Sequence, residues 1–436
     1  MLRDHRTISR VTRFRHFLRA CPATISSFIL CLILITSLRA QEPVRTSALR
    51  LRIQSFRQNP EAFFYLGPFQ EVLIGSAGVQ YTDNVDLAPT NKISDLSYIE
   101  SLNLNTTWVI SHLNQLVFNF GGQVIENFYG NGQNQVTYAI TPNSMLELKF
   151  IVSDYQVRLY DQFSYVQNPT TNPTATNTAN LNSFTNTIGA VIDKDFSLAV
   201  LSLTADYTYN TQSGQNVQGE NNPTTSGTRE TFRIGSNLTF RWTPTILYGI
   251  NTVATRSTGL NTANVNSLNF GPFINGKLNR SLEFDLSGGL SVVETTPSEP
   301  LGYYLNVALR YPINRHLQIL ASGSHDLVFT NGTNLTEETV LRAGTLMNLT
   351  RLISFSLTPF VNFGDVKTAT VGSGATTGPY TQLGITASLS WQPRRRWTTT
   401  LSYDYVRRES SSAVQAGAAS DSYIQNTLSL QIGYTF

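Results

Sequence analysis

From Glu71 to Phe436 the chain repeats one pattern: apolar and polar side chains alternate over segments of about 11–15 residues, joined by connections that are short, then long, then short again. Successive side chains of a strand point to opposite faces, so each segment reads as a strand with one greasy and one wet face. Ile353, Phe355, Leu357, Val361 and Phe363 alternate with Ser354, Ser356, Thr358 and Asn362; Phe232, Ile234, Leu238, Phe240 and Trp242 alternate with Arg233, Gly235, Asn237, Thr239 and Arg241. Leu383, Ile385, Ala387, Leu389 and Trp391 alternate with Gln382, Gly384, Thr386, Ser388 and Ser390. The short connections are Ser111–Asn114, Ser153–Asp154, Asp193–Asp195, Thr243–Thr245, Lys277–Asn279, Asn314–Arg315, Thr350–Arg351 and Pro393–Arg396. Between them lie longer polar stretches, among them Asn84–Asp95, Tyr129–Thr141, Gln167–Leu181, Thr211–Gly227, Thr330–Leu335 and Ser410–Asp421.

A soluble sandwich or propeller has no reason to alternate loop length so regularly. An antiparallel barrel in a membrane does, with tight turns at one end and longer loops at the other. Each segment exceeds the ~9–11 tilted residues needed to cross a hydrocarbon layer. The wet positions are hydroxyls, amides and glycines, which suit a water-filled interior better than a core. The fold expected over 71–436 is therefore all-β, a transmembrane antiparallel up-and-down β-barrel of about eighteen strands, with sixteen as the alternative count and Met145–Val166 as the least clear hairpin. Trp108, Trp242, Trp391 and Trp397 each fall within about three residues of a short turn, while Tyr81, Tyr98, Tyr207, Tyr303, Tyr380 and Tyr423 gather near long loops. Amphipathic rings at both ends of the strands are the aromatic girdles of a spanning barrel.

The amino terminus differs in kind. Residues 1–40 hold 7 Arg and one Asp, then an apolar run from Ile25 to Leu38 that ends at Arg39-Ala40. A basic region, a short apolar stretch and a small residue before the cut describe a secretory signal, and the run is shorter than the ~20 residues of a spanning helix. Cys31 follows Leu30 where a lipoprotein signal would have a small residue. Cleavage after Ala40 would reduce 31 basic and 28 acidic residues to 24 and 27, which argues against a nucleic-acid partner. It would also remove Cys21 and Cys31, the only thiols, and with them disulfides and Cys-bound metals. Residues 41–70 read as a short periplasmic extension with one helix around Ser47–Arg57, too small for a folded plug.

No reactive constellation stands out. Outside 1–40 the histidines are His112, His316 and His325; two sit at short turns, and His325 points to the greasy face with no serine one step along. Neither a metal-ligand cluster nor a triad is present, so no catalysis, metal or cofactor is expected. By phase, Arg233, Arg241, Glu283, Asp285, Arg310 and Arg342 point inward, as do Glu147 and Lys149. A symmetric hairpin about Thr295–Pro300 sets Asp285 opposite Arg310, an ion pair that would brace the wall and partly cancel the field in the bore. These charges either fill the lumen or orient a passing solute. The uncharged stretch Gln167–Leu181 is either an inward-folded third loop or an ordinary surface loop.

Two local resemblances bear on class. The closing stretch, in which Leu428, Leu430, Ile432, Tyr434 and Phe436 alternate with small or polar residues, resembles the last strand of Gram-negative outer-membrane barrels, where a terminal Phe is the assembly signal. Tyr81-Thr82-Asp83-Asn84-Val85-Asp86-Leu87 resembles the Y-x-D-N-[IV] segment of the putative β-barrel porin-2 group, some of whose members lie in exopolysaccharide loci. Physically, Asp83 and Asn84 are also good turn residues at a strand end. The resemblance implies an outer-membrane, porin-like channel for small polar solutes. Its expected partners are the lipid bilayer and the barrel assembly machinery, and porin analogy adds a homo-oligomer. Alternatives are an exopolysaccharide-export component and a structural or adhesive barrel.

Overall fold

In this computed structural model the alternation becomes a ladder that closes on itself. The structure describes residues 64–132, 134–167, 180–215, 221–259, 262–279, 281–295, 301–330, 334–368, 378–410 and 422–436. The expected signal segment 1–40, the helix around Ser47–Arg57 and most of Gln167–Leu181 lie outside the described residues.

A short β1 (Phe64–Leu66) hairpins onto β2 (Phe69–Thr82), and β3 (Asp95–Ser111), β4 (Asn114–Tyr129), β5 (Asn134–Ile140), β6 (Met145–Val152), β7 (Tyr155–Gln167), β8 (Asn180–Asp195), β9 (Ala199–Gln215) and β10 (Asn221–Thr243) follow. The second half is β11 (Ile246–Gly259), β12 (Thr262–Lys277), β13 (Glu283–Thr295), β14 (Leu301–Pro312), β15 (Leu317–Thr330), β16 (Asn334–Asn348), β17 (Ile353–Thr368), β18 (Gly378–Arg394), β19 (Trp397–Ser410) and β20 (Tyr423–Thr435). Wall strands pair antiparallel with their neighbours, and β20 pairs with β2 from Thr427↔Thr82 to Thr435↔Ile74. Both β5 and β6 pair with β4 and both meet β7, so together they fill one place in the wall. The closed wall therefore has eighteen strands, the count read from the turns. Closure satisfies the backbone donors and acceptors that an open edge would leave bare in lipid.

The two faces follow partner by partner around the ladder. Phe355, Leu389, Leu401, Leu430, Val79 and Tyr98 share the outer face at one level, and Val79, Leu401 and Leu430 are each more than two-fifths exposed. One residue along on each strand, Ser356, Ser388, Ser402, Ser429, Gln80 and Ser97 line the inner face. There Ser356 and Ser388 share a hydrogen bond of 3.0 Å, and Ser402 and Ser429 one of 2.6 Å. Apolar residues lie outside and hydroxyls inside, the reverse of a soluble core.

Three expectations change. Asn134–Ile140 is strand, so Tyr129–Thr141 is not a long loop; a tight turn at its start is followed by a resumed ladder. Strands also reach Gln215 and restart at Asn221, and reach Thr330 and restart at Asn334, so the wall extends into stretches read as loop. Thirdly, Arg310 stands opposite Glu283, not Asp285, whose partner is Ala308. A two-residue slip keeps every side chain on its own face, so hydrophobic phase cannot choose between the two registers.

Prolines mark where the ladder loosens, since proline lacks the N–H that a rung needs. Pro272 and Pro359 lie where paired residues skip from Phe270 to Phe273 against β13 and from Arg342 to Thr345 against β17. Pro142 lies in the step Thr141–Ser144 that divides β5 from β6.

The candidate functional site: a polar lumen with a folded-in mouth

The inner face carries its charge largely in pairs, most of them toward the tight-turn end. Glu147 holds Lys149 at 2.8 Å and Arg158 at 3.4 Å. Arg241 reaches Asp195 at 3.6 Å. Glu283 pairs with Lys277 and, at 3.8 Å, with Arg310. Higher in the bore, Arg233 grips Asp206, its cross-strand partner, through Nε at 2.9 Å and Nη2 at 2.6 Å. The Asp206 side chain is 4% exposed and that of Arg233 24%, so the carboxylate is sheltered while the guanidinium faces the bore. Arg233–Asp206 and Arg241–Asp195 cancel one to one, while Glu147 and Glu283 each face two cations; hydroxyls and amides fill much of the rest of the inner wall.

Of the residues singled out by phase, Glu147, Lys149, Arg233, Arg241, Glu283 and Arg310 enter these ion pairs. Asp285 lies between Asn275 and Ala308, and Arg342 between Ser322 and Phe360. Asp195, Asp206, Arg158 and Lys277 join these pairs. Phase along the strand also turns Asp206 and Arg158 inward, whereas Asp195 and Lys277 lie in stretches read as tight turns, where phase assigns no face.

At the opposite end the chain between β2 and β3 folds into the mouth. Asn84 is 0% exposed and works as a clasp. Its Nδ2 donates to the carbonyls of Ala88 (2.8 Å) and Ile424 (2.9 Å), and its Oδ1 accepts from the Ala88 N–H (3.0 Å). Gln425 returns a bond from Nε2 to the Asn84 carbonyl at 2.8 Å. Beside it Asp83 accepts from the Asn426 backbone (2.7 Å) and side-chain amide (2.6 Å). The first strand is thus tied by side chains to the last. This clasp turns Leu87 into the lumen, where it is 1% exposed against Tyr423 with Val406 beside it. Val85 and Ile93 pack on Tyr129, the cross-strand partner of Asp95 on the neighbouring wall. Leu87 is left-handed (φ 52°), which costs about 1–2 kcal/mol for a residue with a Cβ; burying the side chain returns roughly 1.5–3 kcal/mol. Nearby, the buried Arg408 lays its guanidinium 4.1 Å over the Tyr380 ring. Asp83 and Asn84 belong to the segment read as turn residues, but the sequence does not show that they have partners 343 and 340 positions away, on the last strand.

The aromatic and closing residues sit as follows. Trp108 packs on Phe69 (ring centroids 5.3 Å), Trp242 on Tyr248 (6.4 Å) and Trp397 on Tyr434 (5.1 Å), and Trp391 pairs across the ladder with Ile353 and Thr399. All four lie at the tight-turn end of their strands. Phe436 donates its N–H to the Leu73 carbonyl at 2.8 Å and meets Tyr434 edge-on at 4.8 Å. Leu430 and Ile432 are outer-face residues paired with Val79 and Ala77. His325 stacks on Tyr303 (4.2 Å) and bonds Thr339 at 2.8 Å. Among the described residues no cluster of three or more His, Cys, Asp or Glu could hold a metal.

No family model matches the sequence, and no curated protein matches it. Solved structures that it resembles include OccK7 (OpdD) of Pseudomonas aeruginosa, 8% identical with 85% of this chain and 99% of that one covered and a TM-score of 0.49. Others are OccK2 (OpdF) of the same organism in complex with glucuronate, 10% identical over 85% and 99% with a TM-score of 0.48, and its siderophore receptor PirA, 10% identical over 84% and 80% with a TM-score of 0.44. The barrel class rests on the strand ladder itself, and the likeness at Tyr81–Leu87 stays a local one.

Proposed function

We propose that this barrel sits in an outer membrane and passes small polar solutes by diffusion. One observation carries the reading: a closed eighteen-strand ladder turns leucines, phenylalanines and valines outward and serines, threonines and amides inward. Barrels of 16–18 strands enclose an aqueous channel, and an apolar exterior on a closed sheet is stable only against lipid. The four tryptophans then form the girdle at the tight-turn membrane surface. The paired lumen charges Arg233–Asp206, Arg241–Asp195 and Glu283–Arg310, with Asp285 and Arg342, line the bore and give weak ion selectivity. Bore, mouth loop and hydrogen bonding to the wall then select the solute. Phe436, Tyr434, Ile432 and Leu430 are the closing strand that the assembly machinery engages, and the segment 1–40 is the export signal. Purified protein in planar bilayers should show steady ion conductance; sealed bilayers at high protein load would refute the channel. Removal of Phe436 should lower membrane levels far more than it alters any assembled channel.

A further inference from the structure

The step that divides β5 from β6 leaves a recess in the inner wall about midway along β3 and β4. Thr141–Ser144 crosses the lumen side of Gly121, held by Thr141 N–H to the Gly121 carbonyl (2.9 Å) and Gly121 N–H to Ser144 Oγ (3.0 Å). A Cβ at Gly121 would overlap the tips of the Thr141 and Asn103 side chains, so glycine lets both keep their places at the crossing. Gln162 Nε2 ties the far side to the Pro142 carbonyl at 2.6 Å. What remains open is a cavity of about 340 Å³ whose lining includes Asn103, Asn105, Asn119, Asn143, Gln162 and Met145. Room for roughly ten waters, at ~30 Å³ each, is room for a hexose-sized solute.

Its chemistry is selective. Five of the lining side chains are carboxamides, and none of the lining residues is ionisable. Each amide presents both donor and acceptor, which matches hydroxyls that both donate and accept. The Asn119 amide oxygen has no hydrogen-bond partner in the protein, so a rotation of that side chain toward a ligand hydroxyl breaks no internal bond at that atom. Glu147, one step along β6 from Met145 on the same face, is already paired with Lys149 and Arg158 and offers no free countercharge. Anions and cations would lose hydration here with no opposite charge in the lining to offset it, whereas a neutral polyol exchanges water for amides, with Met145 as an adaptable apolar surface.

We propose that this recess is a binding subsite for neutral polyhydroxylated solutes of the sugar class, placed in the wall of the passage. As a way-station for transport it rests on the channel reading above; as a binding site it does not. The test is saturation-transfer NMR on the intact barrel, in a detergent without a sugar headgroup, with glucose, sucrose and glucuronate as probes. Glucose and sucrose should receive magnetisation from the protein, and glucuronate much less. Combining Asn105→Leu with Asn119→Leu should weaken glucose binding about tenfold, the effect of losing two ordinary hydrogen bonds. Asn143→Leu, on the exposed step, gives the same reading should the double variant fail to fold. No transfer to glucose, unchanged transfer in a folded variant, or equal transfer to glucuronate would each overturn the assignment. Liposome swelling run in parallel separates the two proposals. Swelling without sugar binding removes the subsite alone, and sugar binding without swelling removes the channel alone.

Discussion

The closing seam between β20 and β2 and the divided wall between β4 and β7 use the same backbone ladder and end with opposite properties. At the seam, side chains bolt the strands: Asp83 to Asn426, Asn84 to Ile424, Gln431 to Ser76 at 2.8 Å, and Thr82 to Thr427 at 3.3 Å. In the divided wall, Pro142 removes a donor, the fourth wall position is shared by two strands, and β5 meets β7 at Ile140↔Tyr165. The contrast shows two uses of polar residues on a wet wall. Where cross-strand partners are complete, hydrogen bonds fix the shape. Where a strand steps aside, amides are left facing a cavity that a solute can fill.

Four changes would break or sharpen this contrast. Replacing Asn84 with Ala removes three side-chain hydrogen bonds at a buried position and strands their partners, at about 1–3 kcal/mol for each group left unsatisfied. The midpoint of heat unfolding, followed by gel mobility, should fall clearly; an unchanged midpoint would mean that the seam is not held there. Asp206→Ala leaves Arg233 without its carboxylate. A fully buried orphan charge costs roughly 3–5 kcal/mol, but the guanidinium borders the wet bore, so about 1–2 kcal/mol is expected. Reversal potentials in a salt gradient should move toward anion preference, and a shift toward cations would contradict the lumen placement of Arg233. Ser402→Ala removes one neutral hydroxyl pair beside solvent and should cost about 1 kcal/mol or less. In the divided wall, Pro142→Ala should change stability least, within about 1 kcal/mol, because the ladder is already open there and the carbonyl that Gln162 uses remains. A loss as large as that of Asn84→Ala would show that the step is itself a fastening.

Much of this was legible in the sequence because alternation with period two is a property of neighbouring residues. Leu428, Leu430 and Ile432 against Thr427, Ser429 and Gln431 give the faces of β20 without a partner in view. Counting turns gave the number of strands and set all four tryptophans at one end. What was not legible depends on pairing between distant residues. Glu283 and Asp285 lie on the same face, so only the ladder decides which one meets Arg310. Asn84 looks like any turn residue until β20 lies beside it. The step at Thr141–Ser144 reads as the end of a polar loop, since Asn134–Ile140 is a short strand that opens on Asn134-Gln135 and runs straight into Thr141. Inward folding of the first connection is likewise invisible in Leu87, one apolar residue in a loop.

The central claim is that one face of every wall strand meets water and the other meets lipid. Cys21 and Cys31 are the only cysteines of the chain and lie before residue 41, so single cysteines along β20 report on faces directly. Thr427→Cys, Ser429→Cys and Gln431→Cys should react with a membrane-impermeant maleimide in reconstituted vesicles. Leu428→Cys, Leu430→Cys and Ile432→Cys should not, and labelling at Gln431→Cys should reduce the conductance. Uniform labelling along the strand, or labelling of the leucine positions instead, would contradict the account.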